Sequence, residues 1–374
     1  MTRILVTNFH PKGGGGHVPY ILALIKHFNH SGNVLGVVSP AESQIYRFLS
    51  EASYPHLYEC DFPGISYRHI SDVLKSLVRF RQIARDFKPD IVHTNGGDLY
   101  TVIWSHPFRR SFRIVRTHHA VRTISNSFYH RLIYGGTVDK NIFVSDSSMR
   151  LCLNSGIKLT NGIVIENGID ADLYKPIPRN MELAASLGID DDTFCFGSCA
   201  GTMPYKRVDT IIKAASQLKN QRKFAIIALG DKDFGEQLGR LASELGVERF
   251  IYAGFHRNVI PYISLFDVGF ILSDSIETIS FAAREMMAMG KPLLSSSYSG
   301  LVENITDGVN GFLVSPGDVD AIAGAMKKFL DMRPEQLHEF SVKAREKAVQ
   351  SFGIENMMRL QAQVYSSVLN PTGK

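Results

Sequence analysis

The segment from Ser273 to Pro292 is the richest in reactive residue types, and in it two glutamates, Glu277 and Glu285, stand with seven residues between them. An apolar run ends at Leu272, a polar loop follows, and a helix is expected from about Ile279 to Met289. Gly290 is a typical helix-ending residue, and the next strand is expected after Pro292. Such a helix leaves the amides of Thr278, Ile279, Ser280 and Phe281 without intrahelical acceptors, and donors of that kind suit a phosphate. Glu285 then falls in the second turn, within reach of ribose hydroxyls. A helix-capping acid and a surface acid would show the same spacing, so the two glutamates alone do not decide the matter.

Three other stretches could add to this chemistry. Four glycines, Gly13 to Gly16, lie between an opening strand and a helix starting near Val18-Pro19, where the backbone can approach a ligand closely. A plain flexible loop reads the same way, and the third glycine of a G-x-G-x-x-G fingerprint would fall on Val18. Thr117-His118-His119 closes an expected strand; neighbouring strand residues point oppositely, so at most one histidine faces a ligand. Lys206 and Arg207 open an amphipathic helix, where cations oppose the helix dipole and suit a bound anion such as a diphosphate better. A surface lysine is the plain alternative.

These residues need elements to position them. Continuously apolar runs such as Ile91–Thr94, Arg113–Thr117, Phe194–Cys199, Phe224–Leu229 and Val268–Leu272 suit parallel strands buried on both faces. Helical stripes, for example Val208, Ile211, Ile212, Ala215 and Leu218, alternate with them, as in doubly wound α/β sheets. The alternation restarts after Asn167–Asp170 and the proline-containing stretch Lys175–Pro178. The expected division is therefore 1–172, 173–353 and a final helix in 354–374 packing back toward the first domain, with ligands at the carboxyl ends of the strands in a cleft between two facing domains.

With 374 residues, 44% of them hydrophobic and 21% charged, the chain is long enough for two globular cores. No apolar run approaches the roughly 20 residues of a membrane span, and the N-terminus lacks signal-peptide features. Four cysteines without paired spacing suit a reduced, cytoplasmic location and no metal. The net charge of +5 is unevenly placed: from Leu99 through Val138 there is no acid, while Arg109, Arg110, Arg113, Arg116, Arg122 and Arg131 are present. That stretch is either a solvated basic face or a surface for an anionic acceptor or the inner membrane surface. No nucleic-acid motif accompanies it, so nucleic acid is not an expected partner.

Glu277 and Glu285 form the E-x7-E pattern, and with their neighbours they resemble retaining glycosyltransferases of family 4, which have the two-Rossmann-domain GT-B fold. Glu285–Pro292 looks like the family's "EAMACGLPV", and Gly300–Val314 is similar to its "GxxEIVxDGxNGxLV". Val144-Ser145, Ile165–Asp170, Lys206–Asp209, Gly230-Asp231 and Gly254 resemble further family segments in the family's order. The resemblance implies that Glu285 binds the donor ribose, Glu277 the donor sugar, and the 278–281 amides and Lys206 the diphosphate. It maps the family's T-x-H histidine to His119, with His118 as fallback, and assigns His119 to the transferred sugar. It brings Gly15 and Gly16 to the donor phosphate or acceptor, and makes Phe255 a further candidate in its turn.

The implied activity is metal-independent, retaining transfer of a hexose from a nucleotide-sugar donor, UDP-sugar by family frequency, to a glycan or anionic lipid-linked acceptor such as lipopolysaccharide core. No cofactor is implied, and Asp231-Lys232-Asp233 reads as a turn rather than a metal-binding D-x-D. Alternatives are a non-catalytic sugar-nucleotide binder or a nucleotide-sugar epimerase. Departures from the family pattern concern the site itself. The arginine before the lysine is missing, Arg207 stands where glycine is usual and could compensate, and Thr278 and Ser280 replace the glycines of "EGFG". The Ser280 hydroxyl is expected near the phosphates.

Overall fold

The structure, a computed structural model, describes residues 1–12, 16–30, 32–64, 70–108, 110–119, 123–218 and 221–370. The chain forms two compact units: Met1–Glu166 with Met357–Lys374, and Asn167–Asn356. The first unit holds a parallel sheet of β1 (Arg3–Thr7), β2 (Val34–Ser39), β3 (Leu57–Glu59), β4 (Ile91–Thr94), β5 (Arg113–His118), β6 (Lys140–Phe143) and β7 (Gly162–Val164), ordered β3-β2-β1-β4-β5-β6-β7. The second holds β8 (Phe194–Ser198), β9 (Phe224–Leu229), β10 (Phe250–Gly254), β11 (Val268–Ile271), β12 (Leu293–Ser296) and β13 (Gly311–Val314), ordered β10-β9-β8-β11-β12-β13. Periodicity did not single out β3 and β13. Both are short edge strands with half-exposed residues, unlike the fully buried central strands.

The core of the second unit covers both faces of its sheet, which is why its strands read as solid apolar runs. On one face Cys195, Ile227 and Ile271 pack with Ala283, Met286 and Met287 of the helix Phe281–Ala288. On the other, Phe196, Ile226 and Phe270 meet Ile211, Met326 and Phe329. Arg284, in the middle of that first face's helix, is fully buried. Its guanidinium donates to the Asn167 carbonyl at 2.6 Å and Asn304 Oδ1 at 3.1 Å, and it lies over the Phe352 ring at 3.7 Å. These bonds stitch the helix to the start of the unit.

In the first unit a hydrogen-bonded relay crosses the core. Tyr365 OH meets His93 Nδ1 at 2.6 Å, His93 Nε2 meets Thr117 Oγ1 at 2.7 Å, and Thr117 meets Tyr20 OH at 3.2 Å. Tyr20 OH donates to Gln361 Oε1 at 3.2 Å, so each hydroxyl in the relay donates once if His93 carries its proton on Nε2. Tyr365 and Gln361 belong to the last helix, Ile354–Leu369, which is thereby tied to β4 and β5. Among the described residues no helix is long and apolar enough to cross a membrane.

Burial lowers His93 to about 3, and burial together with Arg116 lowers His118 to about 3. Both bind a proton more readily unfolded than folded, so their contribution to stability is full above about pH 6.5 and is lost as pH falls toward 3. Urea unfolding of the first unit should therefore weaken below pH 6.5, by up to about 1.4 kcal/mol per pH unit for each histidine. A His93→Asn variant should show a shallower slope; an unchanged slope would contradict the buried neutral state.

Candidate functional site

β8 and β11 are neighbours, with Phe196 opposite Val268 and Gly197 opposite Gly269, yet the chain leaves them in opposite directions across the sheet. At such a switch point the loops at the carboxyl ends splay apart and leave room for a ligand. The loop after β8 ends in the short 3-10 turn Pro204–Lys206, and the loop after β11 carries Glu277. Lys206 Nζ forms an ion pair with the Glu277 carboxylate, and both side chains are only 12% exposed. Ser273 Oγ donates to the same carboxylate oxygen at 3.2 Å. The Gly230 turn after β9 closes over this region: a Cβ there would lie 2.5 Å from the Thr202 amide nitrogen, so only glycine fits. Asp231 N-caps the helix Lys232–Glu244, and its carbonyl accepts from Thr202 Oγ1 at 3.0 Å.

Arg207 behaves differently from its neighbour. Its guanidinium bonds Asp274 at 2.6 Å and Asp209 at 3.1 Å, and its backbone is left-handed at φ 51. With Asp274 it lines a cavity of about 600 Å³ beside Met203, Phe234 and Leu238, whose lining includes neither Lys206 nor either site glutamate. Two carboxylates engage the Arg207 guanidinium, as Glu277 engages Lys206.

The helix of the glutamate segment starts at Phe281, two residues later than expected, because Ser280 takes φ 54 and ψ 106 and breaks the helical path. Its hydroxyl accepts from the Ala283 amide at 3.4 Å. The hydroxyl thus caps its own helix and keeps its hydrogen to donate. The amides of Thr278, Ile279, Ser280, Phe281 and Ala282 make no hydrogen bond within the described residues. The Ile279 side chain is buried and its carbonyl accepts from Asn304 at 2.6 Å. Positive φ at Ile276 and Ser280 concentrates backbone strain in this loop.

Glu285, one turn into the helix, lies against Tyr174 and Cys199. Burial pushes its carboxyl up to about 7, partly opposed by the hydrogen bond from Tyr174. Phe255, just past β10, presents a ring that is 72% exposed. Tyr174, Ser273 and Asp274 were not singled out in the sequence. Tyr174 is remote along the chain from Glu285, and Asp274 is one polar residue among several in its loop.

The first unit has its own switch point between β1 and β4. Asn95, just after β4, donates through Nδ2 to the Thr7 carbonyl at 2.8 Å, so its Oδ1 accepts from His119 Nε2 at 2.9 Å. That bond fixes the tautomer of His119, whose pKa is held well below the usual histidine value by burial and by the neighbouring His17. His119 is therefore neutral and keeps Nδ1 as an acceptor. His17, in the helix His17–His30 that follows Gly16, lies 4.2 Å from the His119 ring and Tyr20 4.8 Å. His118 points elsewhere, stacked on Phe143 at 4.4 Å and bonded to Asn141 at 3.0 Å. Gly15 lies outside the described residues. The buried Asp98 carboxylate accepts from Thr7 Oγ1 and from the amides of Asn95 at 3.0 Å and Gly96 at 2.5 Å, which shapes the same loop.

A cavity of about 880 Å³ lies at the carboxyl ends of β1 to β3, lined by Phe9, Pro40, Asp61, Asp72, Lys75 and Arg79 among others. The arginine stretch is largely engaged where it is described. Arg110 and Arg113 pair with Asp139 at 3.2 Å each, and Arg116 donates to the Gly96 carbonyl at 2.5 Å. Arg109 and Arg122 lie outside the described residues.

Two stability predictions follow from the loop and the buried acid. Because the folded pKa of Glu285 exceeds its unfolded value of 4.5, its contribution favours folding below pH 4.5 and is lost as pH rises through about 7. Glu285→Gln should gain melting temperature relative to the parent chain at pH 8 but not at pH 5; an equal effect at both would refute the raised pKa. Ser280→Gly removes a left-handed penalty of about 1–2 kcal/mol against a few tenths lost from the cap. Its melting temperature should rise by a few degrees, and a fall would show that the loop conformation is not strained.

The sequence matches the family model for glycosyl transferases group 1 over residues 180–347, and that for Glycosyltransferase Family 4 over residues 14–173. A D-inositol 3-phosphate glycosyltransferase of Mycolicibacterium paratuberculosis is 27% identical over 266 residues, which is 64% of this chain and 58% of that protein. One from Mycobacterium bovis is 30% identical over 174 residues, 45% of this chain and 35% of its own. The chain thus spans about 58% and 35% of the lengths of these two relatives. Among solved structures, a glycosyltransferase from Rickettsia africae is similar with a TM-score of 0.86 at 19% identity, covering 99% of both chains. The Anabaena protein HepE in complex with UDP-glucose gives 0.83 at 20% identity, covering 98% of this chain and 100% of the other. At those identities the likeness concerns the fold, which is the GT-B architecture. With the two family models taking in most of its length, the chain belongs to glycosyltransferase family 4.

Proposed function

We propose that the chain is a retaining, metal-independent hexosyltransferase that uses a nucleotide-sugar donor, UDP-sugar before others, and a glycan or anionic lipid-linked acceptor. The observation that carries this reading is the convergence at the β8–β11 switch point: Lys206 paired with Glu277, a row of unpartnered amides from Thr278 to Ala282, and Glu285 on the helix they open. Lys206 and those amides can take up charge developing on a leaving diphosphate, work that other enzymes give to a divalent ion. On this reading Glu285 binds the ribose, and the exposed Phe255 ring offers a face for the base. Glu277, once Lys206 turns to phosphate, is free to accept from hydroxyls of the hexose. UDP-glucose bound to HepE supports UDP as the first donor to try.

On this reading the acceptor oxygen attacks the anomeric carbon on the face the diphosphate leaves, and a leaving phosphate oxygen takes its proton. Neutral His119, with Nδ1 as acceptor, suits a hydroxyl of the transferred hexose better than a role as an acid. The acceptor belongs to the first unit, where Lys75 and Arg79 line the larger cavity beside Asp61 and Asp72. Cations there suit a phosphorylated acceptor and the carboxylates suit its hydroxyls, in keeping with the inositol phosphate named for the mycobacterial relatives. Contact with an anionic membrane would use Phe128 and Leu132, which are exposed beside Arg131.

Calorimetry with UDP-, GDP- and ADP-glucose tests the donor site. Lys206→Ala with Glu285→Ala should weaken the preferred donor by at least about a hundredfold, from roughly 1.5–3 kcal/mol for each charge-assisted contact. Unchanged turnover in the double variant would sink the assignment. Activity should survive EDTA; loss to EDTA with recovery in manganese would sink the metal-independent route.

A further inference from the structure

We infer that Arg207 is a positioning residue, which by clasping Asp274 fixes the Lys206 turn to the Glu277 loop so that one lysine can hold the diphosphate. The inference rests on the donor-site reading above and gives a role to a residue that the family pattern leaves unexplained.

Three successive residues of the turn are gripped by the loop after β11. The Asp274 amide donates to the Tyr205 carbonyl at 3.1 Å, the Glu277 carboxylate pairs with the Lys206 ammonium, and Asp274 Oδ2 accepts from Arg207 Nη1 at 2.6 Å. Arg207 also reaches Asp209 at 3.1 Å, in the first turn of the helix Val208–Gln217 that it caps. The guanidinium is thus a bridge with one end on that helix and the other on the loop. Holding it there places an arginine in the left-handed region at φ 51 and ψ 39, where glycine would sit without strain. Glycine at this position would keep the turn's backbone and lose the bridge.

The bridge matters because the stretch before the turn, Ala200-Gly201-Thr202, brings no cation. A site with a single lysine depends on where that ammonium stands, and Lys206 has a long flexible stem. Arg207 and Asp274 fix the backbone at its root, while Glu277 holds its tip when no donor is present. Arg207 acts through Lys206 and need not touch the diphosphate.

The full-length chain is tested with UDP and UDP-glucose by calorimetry, with steady-state kinetics and thermal melts of each variant. Arg207→Gly should melt close to the parent, since relief of the left-handed strain offsets the loss of half-exposed ion pairs. It should nevertheless bind UDP about tenfold or more weakly, with the KM for UDP-glucose rising more than kcat falls. Asp274→Asn should weaken UDP to a similar extent, and the double variant should be no weaker than either single one. Arg207→Lys should recover only part of the loss, because an ammonium cannot bridge two carboxylates in the guanidinium's geometry. Were Arg207 itself a phosphate ligand, Asp274→Asn would release it, and UDP binding equal to or tighter than the parent's would overturn the inference. Unchanged UDP affinity in Arg207→Gly, or losses that follow melting temperature alone, would overturn it as well. A parent chain that binds none of the nucleotide sugars would overturn the donor reading first, and the positioning role with it.

Discussion

The pairing of β8 with β11 is the constraint on which the second unit's site depends. Glycines occupy both positions of one register pair, Gly197 and Gly269, and a Cβ at either would crowd a neighbouring side chain. A Cβ on Gly197 would lie 2.1 Å from the Phe266 ring, and one on Gly269 would lie 2.7 Å from Met286 Sδ. Met286 adjoins Glu285, so the absence of a side chain at Gly269 gives the Met286 side chain room where the glutamate helix seats on the sheet. From that seat the helix start, the strained loop before it and the lysine turn facing it take their places.

The charges at this site are balanced before any ligand arrives. Lys206 and Glu277 neutralise one another in a nearly dry position, where a lone charge would be costly. Burial instead raises the pKa of Glu285 toward neutrality. A diphosphate would offer Lys206 a second partner of the same sign as Glu277, so binding would exchange one charge-assisted contact for another and leave the Glu277 carboxylate to the Ser273 hydroxyl and to hydroxyls of the sugar. Positive φ at Ile276, Ser280 and Arg207 is the conformational cost of holding these groups, and it is concentrated in the two loops at the switch point.

The first unit solves a different problem, keeping histidines neutral and oriented. Asn95 sets the tautomer of His119 because its own amide is fixed by the Thr7 carbonyl. The relay from Tyr365 through His93 and Thr117 to Tyr20 and Gln361 does the same for His93, and uses the last helix as a structural part of the sheet's core. Every hydroxyl and ring nitrogen of the relay is buried and partnered, which favours one arrangement over near alternatives, while Gln361 Nε2 has no partner among the described residues.

Much of this was legible in residue order alone. Unbroken apolar strands alternating with amphipathic helices determined two parallel sheets, since only strands covered on both faces carry that pattern. The glycine after Met289, the E-x7-E spacing and the alternation of His118 and His119 are local, and local stereochemistry determines them. What only the tertiary structure decided depends on residues far apart in the chain. Folding brings Asp274 to Arg207, turns Ser280 left-handed so that its hydroxyl meets the Ala283 amide, and sets Asp139 against Arg110 and Arg113 of the arginine stretch. Tyr174 beside Glu285 and Asn95 beside His119 had no signal in the sequence at all. A side chain's charge is written in its type, but whether that charge is free, paired or suppressed depends on partners that folding alone brings within a few ångströms.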